Sequence, residues 1–164
     1  MTENSSKPSN GFSFYHAKSE AQVRGNYDKQ GFMAHIGAAL DKVLPGAVDI
    51  LLPYSDKVDQ QHGYFHGGVI ATIADVASGV AAQTLMEEGA TVLTTEFKIN
   101  FVAPATGQHL IARGRVIKPG RTLTVCQSDV YANKDGEEKL VATALLTMIC
   151  VPASRNEEKN HVAK

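Results

Sequence analysis

The sequence predicts an α+β domain in which a curved antiparallel β-sheet wraps one long helix. Three observations lead there. From Val69 to Met86 the chain is apolar nearly all the way round, its only polar side chains being Thr72, Asp75, Ser78, Gln83 and Thr84. Such a helix has no wet face and needs enclosure. Downstream, the period switches to the two-residue alternation of strands. Turn-forming residues punctuate those strands, in Pro104-Ala105-Thr106-Gly107, Pro119-Gly120-Arg121 and Asn133-Lys134-Asp135-Gly136.

Lipid could also enclose such a helix, since the run approaches the roughly 20 residues of a membrane span. Asp75 sits mid-segment, where a charge is costly in a bilayer, and strand-like sequence follows at once. Protein is therefore the expected wrapper. Ala71, Ala74, Ala77, Gly79, Ala81 and Ala82 give the helix a thin profile that another backbone can approach closely.

Composition agrees with one domain. The 164 residues are 43% hydrophobic and 20% charged, enough to bury a proper core. A net charge of −1 gives no reason to expect nucleic acid. Cys126 and Cys150 follow no metal or redox spacing and fall in apolar runs, so they read as reduced core thiols in a cytoplasmic protein. Residues 1–14 read as a flexible tail, 15–152 as the domain and 153–164 as a second tail, with no signal peptide or anchor.

In chain order, residues 15–36 fit one or two short helices interrupted around Gly25-Asn26. Residues 38–44 and 47–54 read as strands joined at Pro45-Gly46 into a hairpin. A polar loop, 55–65, leads into the long helix, which Glu87-Glu88-Gly89 ends. Residues 93–101 alternate as a half-buried strand. Strands at 109–118, 122–131 and 138–151 follow, completing a meander. Segregated elements of this kind are the mark of an α+β domain.

The pattern His66-Gly67-Gly68, then Ala74-Asp75, with Gln60 six residues before the His and Phe101-Val102-Ala103-Pro104 after the next strand, resembles the PaaI-like (phenylacetate thioesterase-like) family of acyl-CoA thioesterases. The turn Lys118-Pro119-Gly120-Arg121-Thr122 agrees with it. The resemblance covers residues 36–151. It implies a hotdog fold, with the sheet curled around a central helix, and sheets joined into dimers that often pair again into tetramers. It also implies an acyl-CoA substrate and a homo-oligomer, with no cofactor, metal, membrane or nucleic-acid partner.

The chemistry can be argued beside the resemblance. The first N–H groups of the helix, at Gly67 and Gly68, carry the positive end of its dipole and are unshielded by side chains. A thioester carbonyl set against them would have its developing negative charge stabilised. Asp75, the only carboxylate inside the helix, would act as general base on water or attack the carbonyl itself. From Gly67 to Asp75 is roughly 12 Å along the axis at about 1.5 Å per residue. Within one chain the two are too far apart. Antiparallel helices across a two-fold axis would face Asp75 of one subunit with Gly67 of the other, and the resemblance implies that arrangement. Burial among Ala and Val should raise the Asp75 pKa.

The resemblance further implies that Gln60, or its neighbour Gln61, holds the water or thioester. A hydroxyl at Thr94, or at adjacent Thr95, would assist the carboxylate, and His66 would position the loop rather than act as base. Lys118 and Arg121 are candidates for the coenzyme A phosphates. His62 and His66 lack a third ligand for a metal. The competing reading is an acyl-CoA-binding module without catalysis, which would be expected to lack the carboxylate.

Overall fold

A computed structural model describes residues 11–154. Chain order is α1 (Ser19–Tyr27), α2 (Gly31–Ile36), β1 (Ala39–Leu44), β2 (Ala47–Pro53), α3 (Gly67–Gln83), β3 (Thr91–Phe101), β4 (His109–Lys118), β5 (Leu123–Lys134) and β6 (Glu137–Val151). Among the described residues no helix is long and apolar enough to cross a membrane. Most of the two expected tails lies outside the described residues. Phe12 and Phe14, assigned to the first of them, pack against the core, and the Tyr15 N–H donates to the Thr84 carbonyl at 3.2 Å.

The strands form one six-stranded antiparallel sheet in the order β1-β2-β4-β5-β6-β3. The expected meander thus holds for β4, β5 and β6, while β3 crosses to the far edge and pairs with β6 from Thr91↔Val151 to Phe101↔Ala142. Alternation reports which faces a strand offers, not which strand lies beside it. At Thr95 a bulge shifts the β3–β6 register.

Inward-facing side chains form rows across the sheet. One row reads Ile50, Ala112, Val130, Ala142; the next reads Val48, Gly114, Ser128, Ala144. The small residues of the second row make a trough, and α3 lies in it so closely that a Cβ at Gly114 would come 2.4 Å from the Ala77 carbonyl carbon. Close-packed interiors leave no slack for such an atom.

Other boundaries moved for local reasons. The helical break falls at residues 28–30 rather than Gly25-Asn26, because Val23 and Tyr27, one helical turn apart across Gly25, are both buried and hold α1 together. Gly37 ends α2 at φ 75°, a left-handed cap that glycine adopts freely. The helix α3 stops at Gln83, before Glu87-Glu88-Gly89. The expected four-residue turn at 133–136 contracts to Asp135-Gly136, whose φ angles of 55° and 87° suit a two-residue hairpin.

Cys126 is fully buried, and burial pushes its thiol up to about 12. Cys150 is only half-buried, unlike the core thiol expected, because it lies opposite Val92 of the edge strand. Thiol titration of the folded protein is therefore expected to count no more than one group, and two after denaturation. Rapid reaction of both in the native state would contradict this packing.

Candidate active site

Helix α3 is enclosed on one side only. Ile73, Ala74, Ala77 and Ala81 are buried against the sheet, while Ala71, Thr72, Asp75 and Val76 form a half-open strip along the other side. Enclosure by protein, expected from the absence of a wet face, is thus incomplete in one protomer. The edge strand β3 is exposed as well, including Leu93, Phe97 and Phe101, against the half-buried strand expected. Both departures have one physical cause: a six-stranded sheet curls round only part of the helix.

The start of α3 is set by His66, whose extended backbone (φ −65°, ψ 137°) precedes the first helical residue. Its Nδ1 accepts the Gly68 N–H at 2.9 Å, leaving the ring proton on Nε2 in this arrangement. The N–H groups of Val69 and Ile70 donate to the His66 carbonyl at 3.1 and 3.3 Å. In this arrangement the Gly68 N–H, expected to face a substrate, is taken up by the His66 ring. Gly67 keeps a backbone N–H with no acceptor among the described residues, at the positive end of the helix dipole.

Asp75 lies two turns further along. Thr94 Oγ1 donates to its Oδ1 at 2.7 Å, whereas the Thr95 hydroxyl turns away to the Thr147 carbonyl at 3.0 Å. The bulge separates these neighbours. Burial raises the Asp75 pKa above the ordinary carboxylate value, and the Thr94 hydrogen bond offsets part of that rise. Neither Thr72 nor Ser78 is its partner: Thr72 bonds back to the Gly68 carbonyl, and the Ser78 hydroxyl is buried without one.

The remaining predicted residues are dispersed. Gln60 sits in a tight loop closed by its N–H to the Tyr64 carbonyl (2.9 Å) and by the Gly63 N–H to its own carbonyl (2.9 Å), with its side chain half-buried; Gln61 is exposed. Phe65 ties that loop to the chain beyond β3 through its N–H to the Ala105 carbonyl at 3.0 Å. Lys118 and Arg121 are exposed on the β4–β5 turn. Arg121 lines a hollow with Leu85 and Met86, beyond the C-terminal end of α3 and so far from Gly67 of the same chain. Sequence reasoning also left Gln83 and Gln30 without a role, although both line the cavity that contains Asp75 and Thr94. For Gln83 a signal existed, since two steps of four residues from Asp75 keep to one face of a helix. Nothing in the sequence pointed to Gln30.

The arrangement places a carboxylate of raised pKa and a helix N-terminal amide with no acceptor among the described residues along the same helix. Residues 62–139 match the model of the thioesterase superfamily. A thioesterase family protein of Silicibacter pomeroyi, of known structure, is 46% identical, with a TM-score of 0.80 over 81% of this chain and 98% of that one. A Saccharolobus solfataricus protein provisionally named an esterase is 31% identical over 124 residues, 74% of this chain and 79% of its own. The chain belongs to the thioesterase superfamily. This thioesterase is a hotdog-fold thioester hydrolase, as the His66-Gly67-Gly68 and Ala74-Asp75 spacing suggested. A 1,4-dihydroxy-2-naphthoyl-CoA hydrolase of Listeria monocytogenes is also similar, 27% identical over 72% of this chain and 94% of its own.

Proposed function

We propose that the thioesterase hydrolyses an acyl-CoA to the free acid and coenzyme A, at composite sites shared by two protomers of a homodimer. The observation that carries the reading is the half-open strip of α3. It holds Asp75, fixed by Thr94, about 12 Å along the axis from the free Gly67 N–H, too far for both to reach one carbonyl. A two-fold axis across the strip sets Asp75 of one protomer against Gly67 of the other. It also gives the exposed edge of β3 a second β3 to pair with, which an edge of this length and apolar character needs. The name of the Listeria relative, the hydrolase of an acyl-CoA, supports that substrate class.

Thr94 occupies Oδ1, so Oδ2 takes the proton from water as the water oxygen attacks the thioester carbon. The Gly67 N–H stabilises the oxyanion. Collapse breaks the carbon–sulfur bond, and the departing thiolate recovers the proton from Asp75. If Asp75 attacks directly instead, the same oxygen forms a mixed anhydride that water then opens. The reaction uses no metal or organic cofactor. In that register the C-terminal end of one α3 projects roughly 12 Å beyond the N-terminus of the other, and Lys118 and Arg121 would meet the coenzyme A phosphates of the partner's site on that side. Docking of two dimers into a tetramer belongs to the same reading, as does a reducing cytoplasm for the two free thiols.

Complementation tests the composite site. Gly67→Pro deletes the N–H while suiting the first helical position and the extended residue before it, and a Cβ there meets Phe101 only at 3.5 Å. Mixed and allowed to exchange, inactive Gly67→Pro and Asp75→Asn chains should regain about a quarter of wild-type activity, because half the dimers carry one intact site of two. A mixture that stays inactive despite proven exchange places the site within one chain.

A further inference from the structure

The cavity that contains Asp75 has a volume of about 250 Å³, and half of the residues lining it carry polar side chains: Gln30, Asp75, Gln83 and Thr94. At roughly 30 Å³ per molecule such a space holds several waters, and an ordered water needs at least two polar partners to stay there. Two of the four side chains are committed elsewhere. Thr94 Oγ1 donates to Asp75 Oδ1 at 2.7 Å, and Gln83 Nε2 donates to the Ala90 carbonyl at 3.1 Å. That leaves Asp75 Oδ2 and the Gln30 amide, neither of which has a hydrogen-bond partner among the described residues.

Local structure does not explain Gln30. It stands at the N-cap of α2, where Ser, Thr, Asp or Asn usually supplies the capping oxygen, yet its own side chain makes no cap hydrogen bond. Its backbone is nevertheless pinned, the N–H donating to the Tyr27 carbonyl at 2.9 Å and the carbonyl accepting the Ala34 N–H at 3.2 Å. The segment that carries it is anchored just beyond the C-terminal end of α3, where Lys18 pairs with Glu88 at 3.2 Å and Gln22 Nε2 donates to the Ala90 carbonyl at 3.4 Å. By residue 30 it has reached the cavity of Asp75. A fixed backbone thus delivers an uncommitted amide beside the carboxylate.

We propose that Gln30 Oε1 accepts the second proton of the water that Asp75 Oδ2 deprotonates, and so fixes that water for attack. The proposal rests on the acyl-CoA hydrolysis reading above, in its general-base form. A water whose two protons both point to acceptors turns a lone pair toward the thioester carbon, and that orientation is part of what a positioned base contributes. Gln60, expected in such a role, belongs to the loop leading into Gly67 of its own chain and so stands on the carbonyl side of the composite site. Gln30 shares the cavity of Asp75.

The test compares Gln30→Leu, which removes the acceptor at nearly constant volume, with Gln30→Glu, which keeps one at the same reach. Glu also places a second carboxylate in a cavity whose lining has Asp75 as its one charged residue among those described. Gln30→Leu should lose about tenfold or more in kcat, with KM within about threefold of wild type and an unchanged thermal midpoint. Gln30→Glu should recover most of that loss at high pH. The acid limb of its kcat/KM profile should rise by about one pH unit, because two carboxylates in one cavity oppose each other's ionisation. A smaller loss in Gln30→Leu, an acid limb that Gln30→Glu leaves in place, or a Gln30→Glu enzyme no faster than Gln30→Leu at any pH overturns the proposal. Carbon-13 titration of the Asp75 carboxyl separates the two readings. Wild-type protein that hydrolyses no acyl-CoA defeats the hydrolysis reading, and the titration then judges Gln30 by itself: a raised midpoint in Gln30→Glu keeps the side chain against Asp75, and an unmoved one removes it.

Discussion

Asp75→Asn, assayed by thiol release from an acyl-CoA panel at matched folding and oligomeric state, is expected to lose at least about a hundredfold in kcat, the low end of what a positioned general base contributes. The amide keeps the shape of the carboxyl and can still accept from Thr94, but cannot take a proton from water or attack the carbonyl as a carboxylate. In the wild type, kcat/KM should fall as acid protonates Asp75. That limb should lie above the ordinary aspartate range, because desolvation outweighs the Thr94 hydrogen bond. Stability carries the opposite sign. A carboxyl whose folded pKa exceeds its unfolded one destabilises the fold when ionised, at pH above both values, and this penalty disappears as pH falls through the folded pKa. Asp75→Asn should therefore melt no lower than wild type at neutral pH, with any advantage vanishing in acid. Activity within tenfold of wild type, or activity lost together with the thermal midpoint, would remove Asp75 from the chemistry.

The largest effect on stability is expected at Gly114. A Cβ there would lie 2.4 and 2.5 Å from the Ala77 carbonyl carbon and oxygen and 2.6 Å from the Ser78 nitrogen. All three are backbone atoms of α3, so no rotamer change relieves the clash; the helix must lift off the trough. Gly114→Ala should cost about 3 kcal/mol or more, at the upper end for overpacking, and lower the thermal midpoint by roughly 10 °C for a domain of this size. Gly25→Ala provides the contrast. Gly25 lies inside α1 with nothing within 4 Å of its Cβ position, so the substitution should stabilise by about 0.5–1 kcal/mol through the lower backbone entropy of the unfolded chain. Differential scanning calorimetry of the two variants reads both signs. A Gly114→Ala protein as stable as wild type would mean that α3 does not rest on the sheet as described.

Much of the site was legible because it is local. His66-Gly67-Gly68 and Asp75 belong to one helix, and helical geometry alone fixes the roughly 12 Å between its first residue and its carboxylate. That distance is what the proposed second chain would bridge. The choice between Thr94 and Thr95 was not legible, because a bulge opposite β6 sets which hydroxyl turns to Asp75. Nor was the loss of the Gly68 N–H to His66 Nδ1, which depends on a histidine rotamer. Lys118 and Arg121 could be named as cations, but only the course of β4 and β5 puts them at the opposite end of the helix from Gly67.

By itself, the sequence determined the elements and their faces: one apolar helix, strands that alternate, turns where glycine, proline or Asp-Gly demand them, and a carboxylate where an all-apolar helix has least reason to keep one. These follow from periodicity and backbone sterics, which act between residues near in the chain. Tertiary structure alone decided that β3 leaves the meander for the far edge, that α3 keeps one side open, and that Gln83, tied to the Ala90 carbonyl, lines the cavity of Asp75. Each of these depends on contacts between residues distant in sequence, such as Thr91 with Val151 and Gln22 with Ala90, and a pattern of neighbours carries no record of them.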